Sequence, residues 1–293
     1  MLLAVETIRD RKIRIVTFDN TAGRSATPGF DVVLKKENGM NSQFEVVSPR
    51  GYLVLAIKRP IRSRNGGSTD AIYSPYSEEL DVPAVRQQGL DYLRRVLNSA
   101  KYELEARRVY SAVIPGEFVA KIVPTRVAEV LVIIEHIDPG RFMYHGVSID
   151  TLVSEVLTVI GLNRENAYKY AVSPAGARGL FQFMPMTYVS ICKGYPRAAL
   201  TDNFVSGMNN HVNAAMASFL LFDYDLSCFD TSKRASLLSD ARALGLYLAS
   251  AYNTGATRTV KSMKKHGDRW IGGLLPETRV YLEKYNSVSG MMR

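Results

Sequence analysis

Tyr52-Leu53-Val54-Leu55-Ala56-Ile57-Lys58-Arg59-Pro60 is the stretch at which the chain changes character. Its first six residues are the last of four short runs rich in β-branched and aromatic side chains, after Lys12 to Phe18, Phe30 to Leu34 and Phe44 to Val47. Such side chains pack well on a pleated surface and favour extended backbone. Thr21-Ala22-Gly23, Glu37-Asn38-Gly39 and Pro49-Arg50-Gly51 lie between the runs and are turn material, which predicts a small antiparallel sheet within residues 11–60. After Pro60 these runs stop. Arg62 to Ser68 is polar and Gly-rich and reads as a loop or linker. From Pro83 to about Arg108, Val85, Leu90, Leu93, Val96, Leu97, Tyr102 and Leu104 recur at mostly helical spacing, which predicts one long amphipathic helix. Further helices are predicted over 124–137, 149–162, 177–192, 203–222, 232–252 and 276–286, with Asp202-Asn203 as a cap and Pro276 in a first turn. The fold class is therefore α+β. A β-rich accessory domain covers 1–80, an amphipathic connecting helix 81–114 and a mainly helical domain 115–293. No internal repeat or low-complexity tract is visible, so solenoids and propellers are excluded.

Composition narrows the classes. Hydrophobic residues make up 46% and charged residues 22% of the 293 positions, ordinary values for a folded globular chain. The longest apolar run, Val127 to Ile134, contains Glu129 and falls well short of the ~20 residues that cross a bilayer. Charged residues follow Met1-Leu2-Leu3-Ala4-Val5 too soon for a signal peptide, so the protein either stays inside or has shed a leader. The net charge of +9 favours an anionic partner, yet no basic cluster is interleaved with aromatics, and nucleic acid is not expected. Cys192 and Cys228 are isolated, which leaves a disulfide and two free thiols both open. His136, His145, His211 and His266 show no ligand spacing, so neither a metal nor another cofactor is expected.

The most informative segment is Ala171-Val172-Ser173-Pro174-Ala175-Gly176-Ala177-Arg178-Gly179-Leu180-Phe181-Gln182-Phe183-Met184-Pro185-Met186-Thr187-Tyr188. Its glycines permit close backbone approach, and a helix is expected to begin where Gln182 presents its amide to a ligand. Ala251-Tyr252-Asn253-Thr254-Gly255 and Leu275-Pro276-Glu277-Thr278-Arg279-Val280-Tyr281 follow downstream. In content and order the three segments resemble the soluble-type lytic transglycosylases, relatives of goose-type lysozyme, over roughly residues 115–290. The resemblance implies a lysozyme-like helical domain. It implies that Ser173, Gly179, Gln182 and Phe183 floor a glycan cleft, that Tyr252 hydrogen-bonds the catalytic acid, that Asn253 holds substrate or the neighbouring loop, and that Tyr281 contacts sugar.

The family uses one glutamate at the carboxyl end of the helix preceding the Ser-Pro segment, commonly followed by Ser. Here Thr125 to Ile137 is the best helix, and Glu135 ends it with His136 in place of Ser. An acid set among Ile133, Ile134 and Ile137 is desolvated, which raises its pKa toward that of a general acid. Glu135 is therefore the first choice for the catalytic acid. It precedes Ser173 by 38 residues, so an insertion holding the 149–162 helix must loop out. Glu165, eight residues before Ser173, is the second choice, in a polar segment where a carboxylate stays solvated.

What the resemblance implies is cleavage of the β-1,4 bond between N-acetylmuramic acid and N-acetylglucosamine in peptidoglycan strands, giving 1,6-anhydro ends. An inverting hydrolase would need a second carboxylate ~6.5–9.5 Å away, for which Asp138, Glu155 and Glu165 are available. Hydrolysis of lysozyme type therefore stays open, as does a non-catalytic glycan-binding module. The substrate would place the protein in the periplasm or outside the cell.

Overall fold

A computed structural model describes residues 1–62, 67–144 and 146–292. The predicted linker between Arg62 and Ser68 lies largely outside the described residues, and His145 lies wholly outside them. The architecture is α+β, an antiparallel region over residues 2–73 followed by a mainly helical region over 83–291. The chain divides into two compact units. One takes residues 1–90 and 157–171, the other residues 91–156 and 172–293.

The first unit is built on strands β1 (Leu2–Thr7), β2 (Ile13–Asp19), β3 (Arg24–Ser25), β4 (Asp31–Lys36), β5 (Gln43–Ser48), β6 (Tyr52–Arg62) and β7 (Ser68–Tyr73). Five of them form an antiparallel sheet ordered β3-β2-β1-β6-β7, while β4 and β5 pair separately. Leu3, Val5, Val16, Phe18, Val54 and Ile57 bury one face of the larger sheet together with Val32 and Val46. Val54 and Ile57 are three apart, which a period of two forbids on one face. A register shift between Ala4 and Val5 resolves this: Ala4 pairs with Ala56 and Val5 with Val54, so Leu55 is the extra residue of a β-bulge. Pro60 pairs only with Asp70 of β7, beyond the end of β1, where its missing N–H leaves no gap in a ladder.

Four strands differ from expectation. β1, β3 and β7 were not predicted, and β6 continues past Ile57 to Arg62. β1 is central and reads as an unpatterned apolar run, β3 has two residues, and β7 begins Ser-Thr-Asp and depends on pairing with β6.

The helices are α1 (Pro83–Ala106), α2 (Val119–Ile122), α3 (Thr125–Glu135), α4 (Pro139–Met143), α5 (Ile149–Asn163), α6 (Pro185–Gly194), α7 (Phe204–Asn209), α8 (His211–Leu226), α9 (Thr231–Ser239), α10 (Ala241–Thr254), α11 (Ala256–His266) and α12 (Pro276–Met291). Within the first unit the start of α1 crosses the end of α5 at two glycines. A Cβ on Gly89 would stand 2.0 Å from the Leu157 carbonyl oxygen, and one on Gly161 would stand 2.2 Å from that of Val85. Asn163 fastens this end of α5 to the β region, accepting from Ser74 N and donating to Ser74 O at 2.8 Å each.

The second unit centres on α3 and α8. Residues 127–134 of α3 are all buried, and so is nearly every position of α8, the pattern of helices with neighbours on all sides. α3 packs against α8, α10 and α12. Glu129, 4% exposed within α3, is held by Arg94 at 3.3 Å and Arg126 at 3.5 Å, so no unpaired charge is buried there.

Four predicted helix boundaries need correction. The helix placed over 177–192 begins at Pro185, because 177–184 is a closed loop. That over 203–222 is two helices, since Asn210 adopts extended backbone and its side chain accepts from Asn213 N. The one over 232–252 also breaks, at Asp240, whose carboxylate accepts from Arg242 N and Ala243 N. Each break is an N-cap within an apolar pattern that continues through it. The last helix runs on to Met291, and α11 was missed because its sequence is mostly polar. Asn203 caps α7 as expected, accepting from Ser206 N at 2.9 Å.

Candidate functional site

Glu135 is the last residue of α3, at the edge of the apolar core of the second unit, and it keeps part of its surface open. Burial pushes its carboxyl from 4.5 up to about 7, against the opposing pull of a hydrogen bond from Tyr281 and the charge of Lys284. The Tyr281 hydroxyl donates to Oε1 at 2.6 Å. Desolvation outweighs both stabilising contacts, so the acid form persists to neutral pH.

Two helices beside α3 shape this carboxyl. Tyr281 and Lys284, three residues apart on α12, share a face. Lys284, 4% exposed, donates from Nζ to the carbonyl oxygens of Ile134 at 2.8 Å and Ile137 at 3.1 Å. Tyr252, near the end of α10, donates its hydroxyl to the Phe181 carbonyl at 2.6 Å, although it feels the charge of Glu135. The tyrosine bonded to the acid is therefore Tyr281, where the family resemblance implied Tyr252.

The loop of the informative segment closes on itself. Arg178 and Phe183 exchange backbone hydrogen bonds at 3.1 and 3.2 Å, and Ser173 Oγ accepts from Ala177 N at 3.0 Å. Gly179 has φ +77°, and a Cβ there would stand 3.0 Å from the Met208 carbonyl, so both conformation and space call for glycine. Gln182 also has positive φ, +46°, and its side-chain nitrogen donates to Gly179 O at 2.8 Å. It does not open a helix; its amide braces the turn. Phe183, 2% exposed, meets Tyr188 and Tyr252 edge-on and supports the loop from within, offering a ligand no face. Asn253 is exposed at the end of α10.

His136, which follows Glu135, ties α3 to this loop. Its Nε2 lies 2.9 Å from Leu180 O, and a carbonyl only accepts, so the proton sits on Nε2. Burial lowers its pKa to about 3, so the ring is neutral at ordinary pH.

The other carboxylates named from the sequence are placed differently. Asp138 caps α4, accepting from Arg141 N at 2.8 Å. Glu155 forms a two-pronged pair with Arg141, with Nη2 to Oε1 at 2.7 Å. Glu165 is exposed in a 3₁₀ turn at 164–166, in the other unit from Glu135. Cys192 and Cys228 are free thiols. Lys284 is the residue that sequence reasoning missed; its signal was a lone cation one turn beyond Tyr281 on an otherwise apolar helix face. No family model, curated protein or solved structure matches the chain.

Proposed function

We propose that the protein cleaves the β-1,4 bond between N-acetylmuramic acid and N-acetylglucosamine in peptidoglycan, with Glu135 as the single general acid and base. The observation that carries the reading is a partly open carboxyl at the end of a buried helix, its pKa raised to about 7 and one oxygen fixed by Tyr281. A carboxylic acid at that value holds a proton near neutrality and can both give and retake it. In the first step Glu135 protonates the glycosidic oxygen as the C1–O bond breaks, with the substrate's acetamido oxygen assisting at C1. In the second, the muramoyl O6 attacks C1 and Glu135 takes its proton, leaving a 1,6-anhydro end. No water or second carboxylate takes part, which suits a site where Asp138 is occupied as a cap and Glu155 by Arg141. Peptidoglycan lies outside the cytoplasm, so this reading places the protein in the periplasm or beyond. No described helix is long and apolar enough to cross a membrane.

The test is mass spectrometry of fragments released from purified sacculi by wild type, Glu135→Gln and Glu165→Gln. Anhydro-ended fragments lost only with Glu135→Gln are the expected result. Reducing-ended fragments would make the reaction a hydrolysis. No release by any variant, on native or deacetylated wall, would overturn catalysis in favour of a glycan-binding module.

A further inference from the structure

Lys284 is a buried cation for which the function above has no use, and burial of an amine is costly unless the charge is met. Nζ meets two backbone carbonyls, of Ile134 in the last turn of α3 and of Ile137 just beyond it. These lie at a helix C-terminus, where carbonyls lack helical partners and the helix dipole presents negative charge. Glu135 lies between the two anchored residues in sequence, and its charge and that of Lys284 act on each other. The same ammonium stands 5.4 Å from the centre of the Tyr281 ring, whose hydroxyl holds Glu135. Asp138, the cap of α4, also acts on Lys284, and Lys284 in turn acts on the neutral ring of His136; the groups facing Glu135 include Tyr281, Lys284 and Tyr252.

We propose that Lys284 is a positioning residue that locks the last turn of α3, fixes where the Glu135 carboxyl points, and biases that carboxyl toward its ionised form. In the catalytic reading, on which this use of the lysine rests, it favours the state in which Glu135 receives the second proton. Lys284 touches no substrate; it acts through Glu135. Burial and the cation thus oppose each other. The first keeps the acid protonated for donation, and the second keeps its conjugate base accessible within the same pH range.

The experiment is NMR on the full chain without substrate, following the Glu135 side-chain carboxyl against pH in wild type, Lys284→Met and Lys284→Arg. The expected result is a Glu135 midpoint raised by about one pH unit in Lys284→Met and restored toward wild type in Lys284→Arg. An unchanged midpoint in a folded Lys284→Met protein overturns the proposal. Should Lys284→Met not fold, the reciprocal measurement decides: Glu135→Gln is expected to lower the Lys284 ammonium midpoint by a similar amount, and no shift there overturns it equally. Because neither measurement uses glycan, a protein inert on sacculi that still shows the coupling sinks only the catalytic reading. An active protein without the coupling sinks only this one.

Discussion

The Tyr281 hydroxyl donates a 2.6 Å hydrogen bond to Glu135 Oε1 across 146 residues of sequence. The bond favours the carboxylate, while burial of the same group favours the acid. Removing only the hydroxyl leaves burial in place. Tyr281→Phe is therefore expected to lift the Glu135 midpoint above about 7 by about one unit, read from the carboxyl's NMR titration. A fall in the midpoint would contradict the assigned role.

Glu135 also writes itself into stability. Its folded pKa of about 7 exceeds the ordinary 4.5, so between these values the folded state holds a proton that the unfolded chain has released. Its contribution is full below pH 4.5 and is lost as pH rises through 7, by roughly 3 kcal/mol at most. Glu135→Gln carries no such loss. Denaturant unfolding at pH 5 and pH 8 should show the variant gaining on wild type at the higher pH.

His136 acts with the opposite sign. Its pKa falls from 6.5 to about 3 in the fold, so the unfolded chain binds a proton that the native ring refuses. Stability from this group is present above pH 6.5 and is lost as pH falls toward 3, by at most about 5 kcal/mol. His136→Gln keeps an N–H within reach of Leu180 O and should show a shallower acid limb in unfolding curves. An acid limb as steep as in wild type would place the acid sensitivity elsewhere.

Gly179→Ala combines a backbone at φ +77° with a Cβ at 3.0 Å from a carbonyl oxygen that belongs to a helix. The expected cost is about 1–3 kcal/mol of stability, measured by thermal unfolding. If the protein cleaves peptidoglycan as proposed, release of wall fragments falls as well, since this turn carries the Leu180 carbonyl that anchors His136.

The two thiols give a simple check. Cys192 and Cys228 are both free, so adding a reductant is expected to leave the thermal midpoint unchanged. A drop of several degrees would reveal a disulfide.

The passage from strands to helices was legible because β-branched runs and helical spacing are local signals. The helix ending at Glu135 was legible too, since an acid among isoleucines advertises its own desolvation. What escaped was set by partners distant in sequence. Nothing near Tyr281 indicates that its hydroxyl reaches Glu135 while that of Tyr252 turns to Phe181. Lys284 went unremarked because the carbonyls that receive it belong to residues 134 and 137. The loop at 177–184 passed for helix because its closing bonds, Arg178 with Phe183 and Gln182 with Gly179, leave no periodic trace. Asn210 and Asp240 could have been read as caps within their apolar patterns; they were passed over because the hydrophobic period runs unbroken through both.

The unit that holds the strands is completed by a return of the chain at residues 157–171. During synthesis, residues 91–156 must leave the ribosome before Asn163 and Tyr168 can reach Ser74 and Tyr73. Tyr73 and its neighbours therefore lack Val159 while the start of the other unit is already being made, although the sheet's own core from Leu3 to Ile57 is by then complete in sequence. An insertion anywhere in residues 91–156 lengthens that wait, and a ribosome stalled before residue 157 would present an unfinished β region to chaperones and proteases. The strand-bearing unit is thus discontinuous in sequence, because its last component is encoded on the far side of Glu135.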